Sequence, residues 1–192
     1  MYMQEIIKQN FLESIQTKQE VIKKNLSELE QAAQLIITAL KNGNKILVCG
    51  NGGSAADTQH FVAELVMTYE KQRRALPALA LTTNTSNITA GANDYGYDMI
   101  FERKVEAFGM KGDVLLGITT SGNSANVLKA FVAAQKRGMV TICLNGKSGG
   151  KANSLGLDAN IVIPSARTSR VQEAHITILH AWSELIDNSF TE

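Results

Sequence analysis

Several classes of protein are excluded by what the 192-residue chain has little of. It has only two cysteines, Cys49 and Cys143, each inside a short apolar run. Two thiols in separate buried strands are no disulfide framework and point to a reducing compartment. Neither charge is in excess: 19 Lys and Arg against 18 Asp and Glu leave a formal net charge of +1. A nucleic-acid binder carries a basic patch or stripe. The basic residues here form short, interrupted clusters such as Lys71, Arg73 and Arg74, which read as a solvated turn. No apolar run approaches the roughly 20 residues needed to cross a bilayer. Residues 1–10 are too polar for the apolar core of a signal peptide. The expectation is a soluble, cytoplasmic protein with neither a membrane nor a nucleic acid as partner.

Proline is as scarce as cysteine, and Pro77 and Pro164 both border apolar runs. What is present is enough apolar material for a core, 44% hydrophobic against 19% charged, so folding needs no structural metal. Residues 1–42 contain no Pro or Gly and carry two apolar stripes at helical spacing. The first is Ile6, Ile7, Phe11, Leu12 and Ile15, too narrow for a core helix, and it is read as a face that packs on another subunit. The second is Leu26, Leu29, Ala33, Ile36, Ile37 and Leu40, stopped by Asn42 and Gly43. This N-terminal helical arm is assigned to residues 1–43 and an α/β unit to residues 44–192.

From Lys45 onward short apolar runs alternate with helical patterns. Strands are expected at residues 46–49, 78–81, 113–118, 140–144 and 161–163. Helices are expected at residues 55–67, 99–108, 124–137 and 169–190. Continuously apolar strands alternating with helices indicate a parallel sheet covered on both faces. Right-handed crossovers then bring every strand-to-helix loop to one edge, where ligands bind near the switch in strand order.

Two of those loops carry chemistry. Gly50-Asn51-Gly52-Gly53-Ser54 can bring backbone N–H groups and a helix N-terminus to an anion, or can be an ordinary strand-to-helix turn. It is neither GxGxxG nor a Walker A loop, which excludes a dinucleotide or an ATP phosphate cradle. In the second loop Thr119, Thr120, Ser121 and Ser124 place four hydroxyls within six residues, with Gly122 permitting the turn. A helix cap needs one hydroxyl. Four of them, with helix N-terminal amides, can surround a phosphate without any cation. Further along, His60 and Glu64 are four apart on one helix face, and Gln172 and His180 are eight apart on the last helix. Such a set could hold Zn²⁺ or a similar divalent ion, could serve as an acid/base pair, or could be a surface pair and a core histidine. His175 falls about 140° from His180 on a helical wheel and is read as structural or as a subunit contact.

The Thr-Thr-Ser-Gly-Asn-Ser loop after a strand resembles the phosphate loop of the sugar isomerase (SIS) domain. That resemblance implies a five-stranded parallel sheet between helices, with phosphate at Thr119, Thr120, Ser121 and Ser124. The sugar would lie along Asn51, Gly52, Gly53 and Ser54. Cys-Gly-Asn-Gly-Gly-Ser followed by His60 and Glu64 is similar to the phosphoheptose isomerases. So are Gly91-Ala92-Asn93-Asp94, Gly112-Asp113-Val114-Leu115-Leu116-Gly117, and Arg170-Val171-Gln172-Glu173-Ala174-His175 running on to His180. The similarity spans nearly the whole chain. It implies a Zn²⁺ site at His60, Glu64, Gln172 and His180, with Asn93, Asp94 and Gln172 as substrate contacts. It also implies Glu64 and His180 as catalytic base and acid, a homotetramer, and heptose supply for lipopolysaccharide core or capsule. Thr68 and Ser169 stand where some relatives carry Arg and Asp, and Thr119 where Ser is more usual. The DnaA initiator-associating proteins share the overall pattern, including Ile186-Asp187-Asn188, but are expected to lack the acid and base at Glu64 and His180. A non-catalytic phosphosugar sensor would keep the hydroxyl loop without needing Glu64.

Overall fold

The structure, a computed structural model, describes residues 2–191. Five parallel strands form one sheet: β1 (Ile46–Gly50), β2 (Ala78–Ala80), β3 (Val114–Ile118), β4 (Val140–Gly146) and β5 (Ala159–Ile163). Their spatial order is β2-β1-β3-β4-β5. The six helices are α1 (Tyr2–Lys41), α2 (Gly53–Val66), α3 (Thr85–Tyr95), α4 (Ile100–Phe108), α5 (Ala125–Lys136) and α6 (Thr168–Phe190). This is the architecture expected from the apolar runs, and the pleat explains why the runs are continuous. Ile46, Val48, Leu116 and Ile118 point into one core with residues of α1, α2 and α6. Leu47, Cys49 and Leu115 point into a second core with residues of α4 and α5. With both faces covered there is no polar side for a strand to show. The order reverses at β1, which pairs with β2 on one edge and β3 on the other. The loops leaving β1 and β3 therefore diverge to opposite faces and open a crevice between them.

The two N-terminal stripes lie on one uninterrupted helix of 40 residues. Its second half belongs to the core, with Ala32, Ile36 and Leu40 fully buried. In the first half Ile7 and Phe11 are 58% and 68% exposed. The helix α3 is not among the helices expected from the sequence. It buries no residue fully, and only Ile88 and Ala92 pack against the second core, so its apolar face is short and weak. Its start is fixed by Asn84, whose side chain accepts the Asn87 N–H at 3.1 Å.

The expected solvated turn around Arg73 is corrected by the structure. The Arg73 side chain is fully buried, and its Nε donates to Asp187 of α6 at 2.7 Å. Its other nitrogens donate to the carbonyls of Glu64 and Leu65 at 2.7 and 2.9 Å, satisfying the C-terminal end of α2. Asp187 also accepts the backbone N–H groups of Glu70 and Lys71, both at 2.9 Å. Burial disfavours the Asp187 carboxylate, but these donors outweigh it and hold its pKa below the ordinary carboxylate range.

A lowered pKa means that the stabilisation is present above the unfolded carboxylate pKa and lost as pH falls through the folded one. Asp187→Asn leaves Arg73 buried without its partner and should cost about 3–5 kcal/mol at neutral pH. Urea titration should show that deficit shrinking toward pH 3, where the parent chain loses the same interaction.

Candidate active site

The hydroxyl loop caps β3 and opens α5. Ser124 stands at the N-cap of α5, yet its side chain makes no capping bond. Its Oγ lies 3.1 Å from the Thr119 hydroxyl instead. Thr at 119 thus supplies the same hydroxyl a Ser would. Thr119 is buried, whereas Thr120, Ser121 and Ser124 are half-buried. Gly122 has φ +66°, and a Cβ there would run into the carbonyl of Gly149, so the tight turn requires glycine. The hydroxyls are not consumed by helix capping, as an anion seat needs.

The glycine loop caps β1 and opens α2 in the same crevice. Gly52 is the N-cap and no side chain caps that helix either. The Gln172 amide rests directly on Gly53: a Cβ on Gly53 would lie 2.5 Å from Nε2. Gln172 thereby joins the start of α6 to the start of α2. Ser54 is buried, and its carbonyl accepts the Thr58 hydroxyl at 2.8 Å. The Asn51 side chain is engaged by Asn126 and by Tyr97, so it is the loop's backbone that is presented outward.

Further along the same two helices, His60 and Glu64 of α2 meet His180 of α6. One potential ligand atom from each lies within 4.8 Å of the others. His60 Nε2 is 2.9 Å from Glu64 Oε1. The His60 and His180 rings meet edge to face with centroids 5.0 Å apart. Tyr69 stacks on His180 at 5.7 Å and 22°, which fixes the plane of that ring. Two imidazoles and a carboxylate are a donor set suited to zinc. Asp57, one turn before His60, has a buried Oδ2 with no partner among the described residues. Burial raises its carboxyl above the ordinary range, against the pull of His60 and His180. The residues present fit the ion.

His175 is excluded from this site. It is fully buried, and its Nε2–H donates to the Asn145 carbonyl at 2.9 Å. Burial, partly offset by that bond, lowers its pKa to about 4, so it is a neutral core histidine. The cysteines are also inert: both are free and buried, and burial pushes the Cys49 thiol up to about 12.

Asn93 and Asp94 lie on the last turn of α3 and bond to one another at 2.8 Å. Asp94 lines a groove between α3 and α4 with Asn87, Tyr95 and Arg103. Among the described residues no hydrogen bond joins this pair to either loop. The segment reaches the crevice through Tyr97, whose hydroxyl donates to Asn51 Oδ1 at 3.1 Å. Thr68 follows the end of α2, and Ser169 is exposed on the first turn of α6. Sequence reasoning missed Asp57, Tyr69, Tyr97 and Asn126. Only Asp57 left a signal, since it is three and seven residues from His60 and Glu64 on one helix face.

Comparison with known proteins agrees with this geometry. The SIS domain family matches residues 10–146. The phosphoheptose isomerase of Aliarcobacter butzleri is 51% identical over 98% of this chain and 100% of its own length. That of Neisseria gonorrhoeae is 49% identical over 99% of this chain and 98% of its own. Among solved structures, the phosphoheptose isomerase GmhA from Neisseria gonorrhoeae superposes with a TM-score of 0.91 at 48% identity, covering 97% of this chain and 99% of that one. A phosphoheptose isomerase from Francisella tularensis superposes with a TM-score of 0.94 at 39% identity, covering 98% and 100%. With the hydroxyl loop, the glycine loop and the His60–Glu64–His180 cluster in one fold, the chain belongs to the phosphoheptose isomerase family of SIS-domain enzymes.

Proposed function

We propose that the chain converts D-sedoheptulose 7-phosphate to D-glycero-D-manno-heptose 7-phosphate through an ene-diol. The observation that carries this is the meeting of Glu64 with His60 and His180 between α2 and α6. Isomerisation moves one proton between C1 and C2 and another between the two oxygens. It therefore needs a base and an acid on a substrate held by its far end. Thr119, Thr120, Ser121 and Ser124 hold the phosphate. The backbone of Asn51, Gly52, Gly53 and Ser54 lines the sugar, with Gln172, Asn93 and Asp94 as further substrate contacts. Glu64 takes the carbon-bound proton, and His180 moves the oxygen-bound one. His60, Glu64, Gln172 and His180 would hold one Zn²⁺, which when bound polarises the substrate carbonyl. Nothing in the comparisons favours an initiator-binding protein: the relatives above are phosphoheptose isomerases.

The product feeds a heptose-containing surface glycan, lipopolysaccharide core or capsule. Free buried thiols, and the absence among the described residues of a helix long and apolar enough to cross a membrane, are compatible with a cytoplasmic enzyme. The working assembly is a homotetramer, supported by the exposed Ile6, Ile7, Phe11, Leu12 and Ile15 on α1, which find no cover in the single chain.

Glu64→Gln should lower kcat by about 10² to 10⁴ while leaving the thermal midpoint close to the parent's. Undiminished turnover would remove Glu64 from the mechanism. Metal analysis of purified protein should find zinc, and chelation should suppress activity that added zinc restores. Phe11→Glu with Ile7→Glu should convert the tetramer to smaller species in sedimentation velocity.

A further inference from the structure

Asn126 is the most enclosed polar side chain that joins the two loops. It is 2% exposed and sits in the first turn of α5, two residues after Ser124. Its Oδ1 accepts the Val127 N–H at 2.9 Å. A backbone N–H can meet only the oxygen of an amide, so this bond sets which way the group faces. The amide then pairs reciprocally with Asn51, 75 positions earlier: Asn51 Nδ2 donates to Asn126 Oδ1, and Asn126 Nδ2 donates to Asn51 Oδ1, both at 2.9 Å. The Tyr97 hydroxyl donates to Asn51 Oδ1 as well, at 3.1 Å. The bond to Val127 satisfies one N–H at the start of α5. The two bonds to Asn51 add nothing to that helix. They cross the crevice between β1 and β3 and tie the glycine loop to the hydroxyl loop.

We propose that Asn126 is a positioning residue that acts through Asn51 as a ruler. It fixes the distance between the phosphate seat and the backbone that lines the sugar, and so sets where the carbon chain of a phosphosugar lies. This rests on the hydroxyl loop being the phosphate seat. Asn126 touches no substrate atom in this account. Its side chain makes no bond to the hydroxyls of the phosphate seat, where Thr119 and Ser124 lie 3.1 Å apart.

The test compares the parent chain with Asn126→Ala, Asn51→Ala and the double variant. The readouts are kcat/KM for sedoheptulose 7-phosphate and the inhibition constant of inorganic phosphate, which occupies the seat alone. For Asn126→Ala, kcat/KM should fall about 10²-fold, the effect of misplacing a substrate by about 1 Å, with phosphate inhibition changed by less than about a factor of two. The double variant should be no worse than the more damaging single one, because both substitutions break one bridge. If Asn126→Ala does not fold, Asn51→Ala carries the same comparison, since it leaves the bond to Val127 in place. Unchanged kcat/KM in a folded variant overturns the ruler. Phosphate inhibition that weakens in step with kcat/KM also overturns it, because Asn126 would then be shaping the seat itself. No inhibition of the parent chain by phosphate contradicts the phosphate seat, and the ruler with it.

Discussion

The parallel run of α2 beside α6 is the arrangement on which the site depends. One helix carries His60 and Glu64, the other Gln172 and His180, and the helices are fastened near both ends. At the start, the Gln172 amide lies on Gly53, a contact that any side chain at position 53 would break. At the far end, Arg73 bonds to the last carbonyls of α2 and to Asp187 of α6. Breaking a buried pair of this kind leaves an uncompensated charge in the interior, so the pair resists any change in the spacing of the two helices. The His60–Glu64–His180 cluster lies between these two fastenings, where a small shift of one helix along the other would separate His180 from Glu64.

The sheet supplies the other half of the design. Reversal of strand order at β1 sends the loops after β1 and β3 to opposite faces, which opens a crevice lined by two helix N-termini. Neither loop, residues 50–54 or 119–124, contains Lys or Arg. An anion held there is met by backbone dipoles and hydroxyls. The hydroxyl of Ser124 makes no capping bond and would be one of those donors.

Much of this was legible in the sequence because it is local. Buried strands announce themselves as continuous apolar runs, and the His60–Glu64 spacing places both on one helix face whatever the tertiary fold. What was not legible depends on partners far along the chain. Arg73 looked like part of a solvated turn because its partner, Asp187, is 114 positions away. Nothing local marks Asn126, because its partner Asn51 lies 75 positions earlier. The helix α3 touches the core only through Ile88 and Ala92, too few apolar positions to mark it among polar neighbours. Spacing alone could not choose between His175 and His180. The structure puts His175 against a core carbonyl and His180 against His60.

The central claim is that this site moves protons between carbon and a base. Isomerisation of sedoheptulose 7-phosphate in D₂O, followed by NMR, tests it most directly. An ene-diol formed by proton removal at C1 and return at C2 predicts solvent deuterium at C2 of the aldoheptose product. Product carrying only protium at C2, formed at an undiminished rate by Glu64→Gln as well, would contradict proton transfer through Glu64.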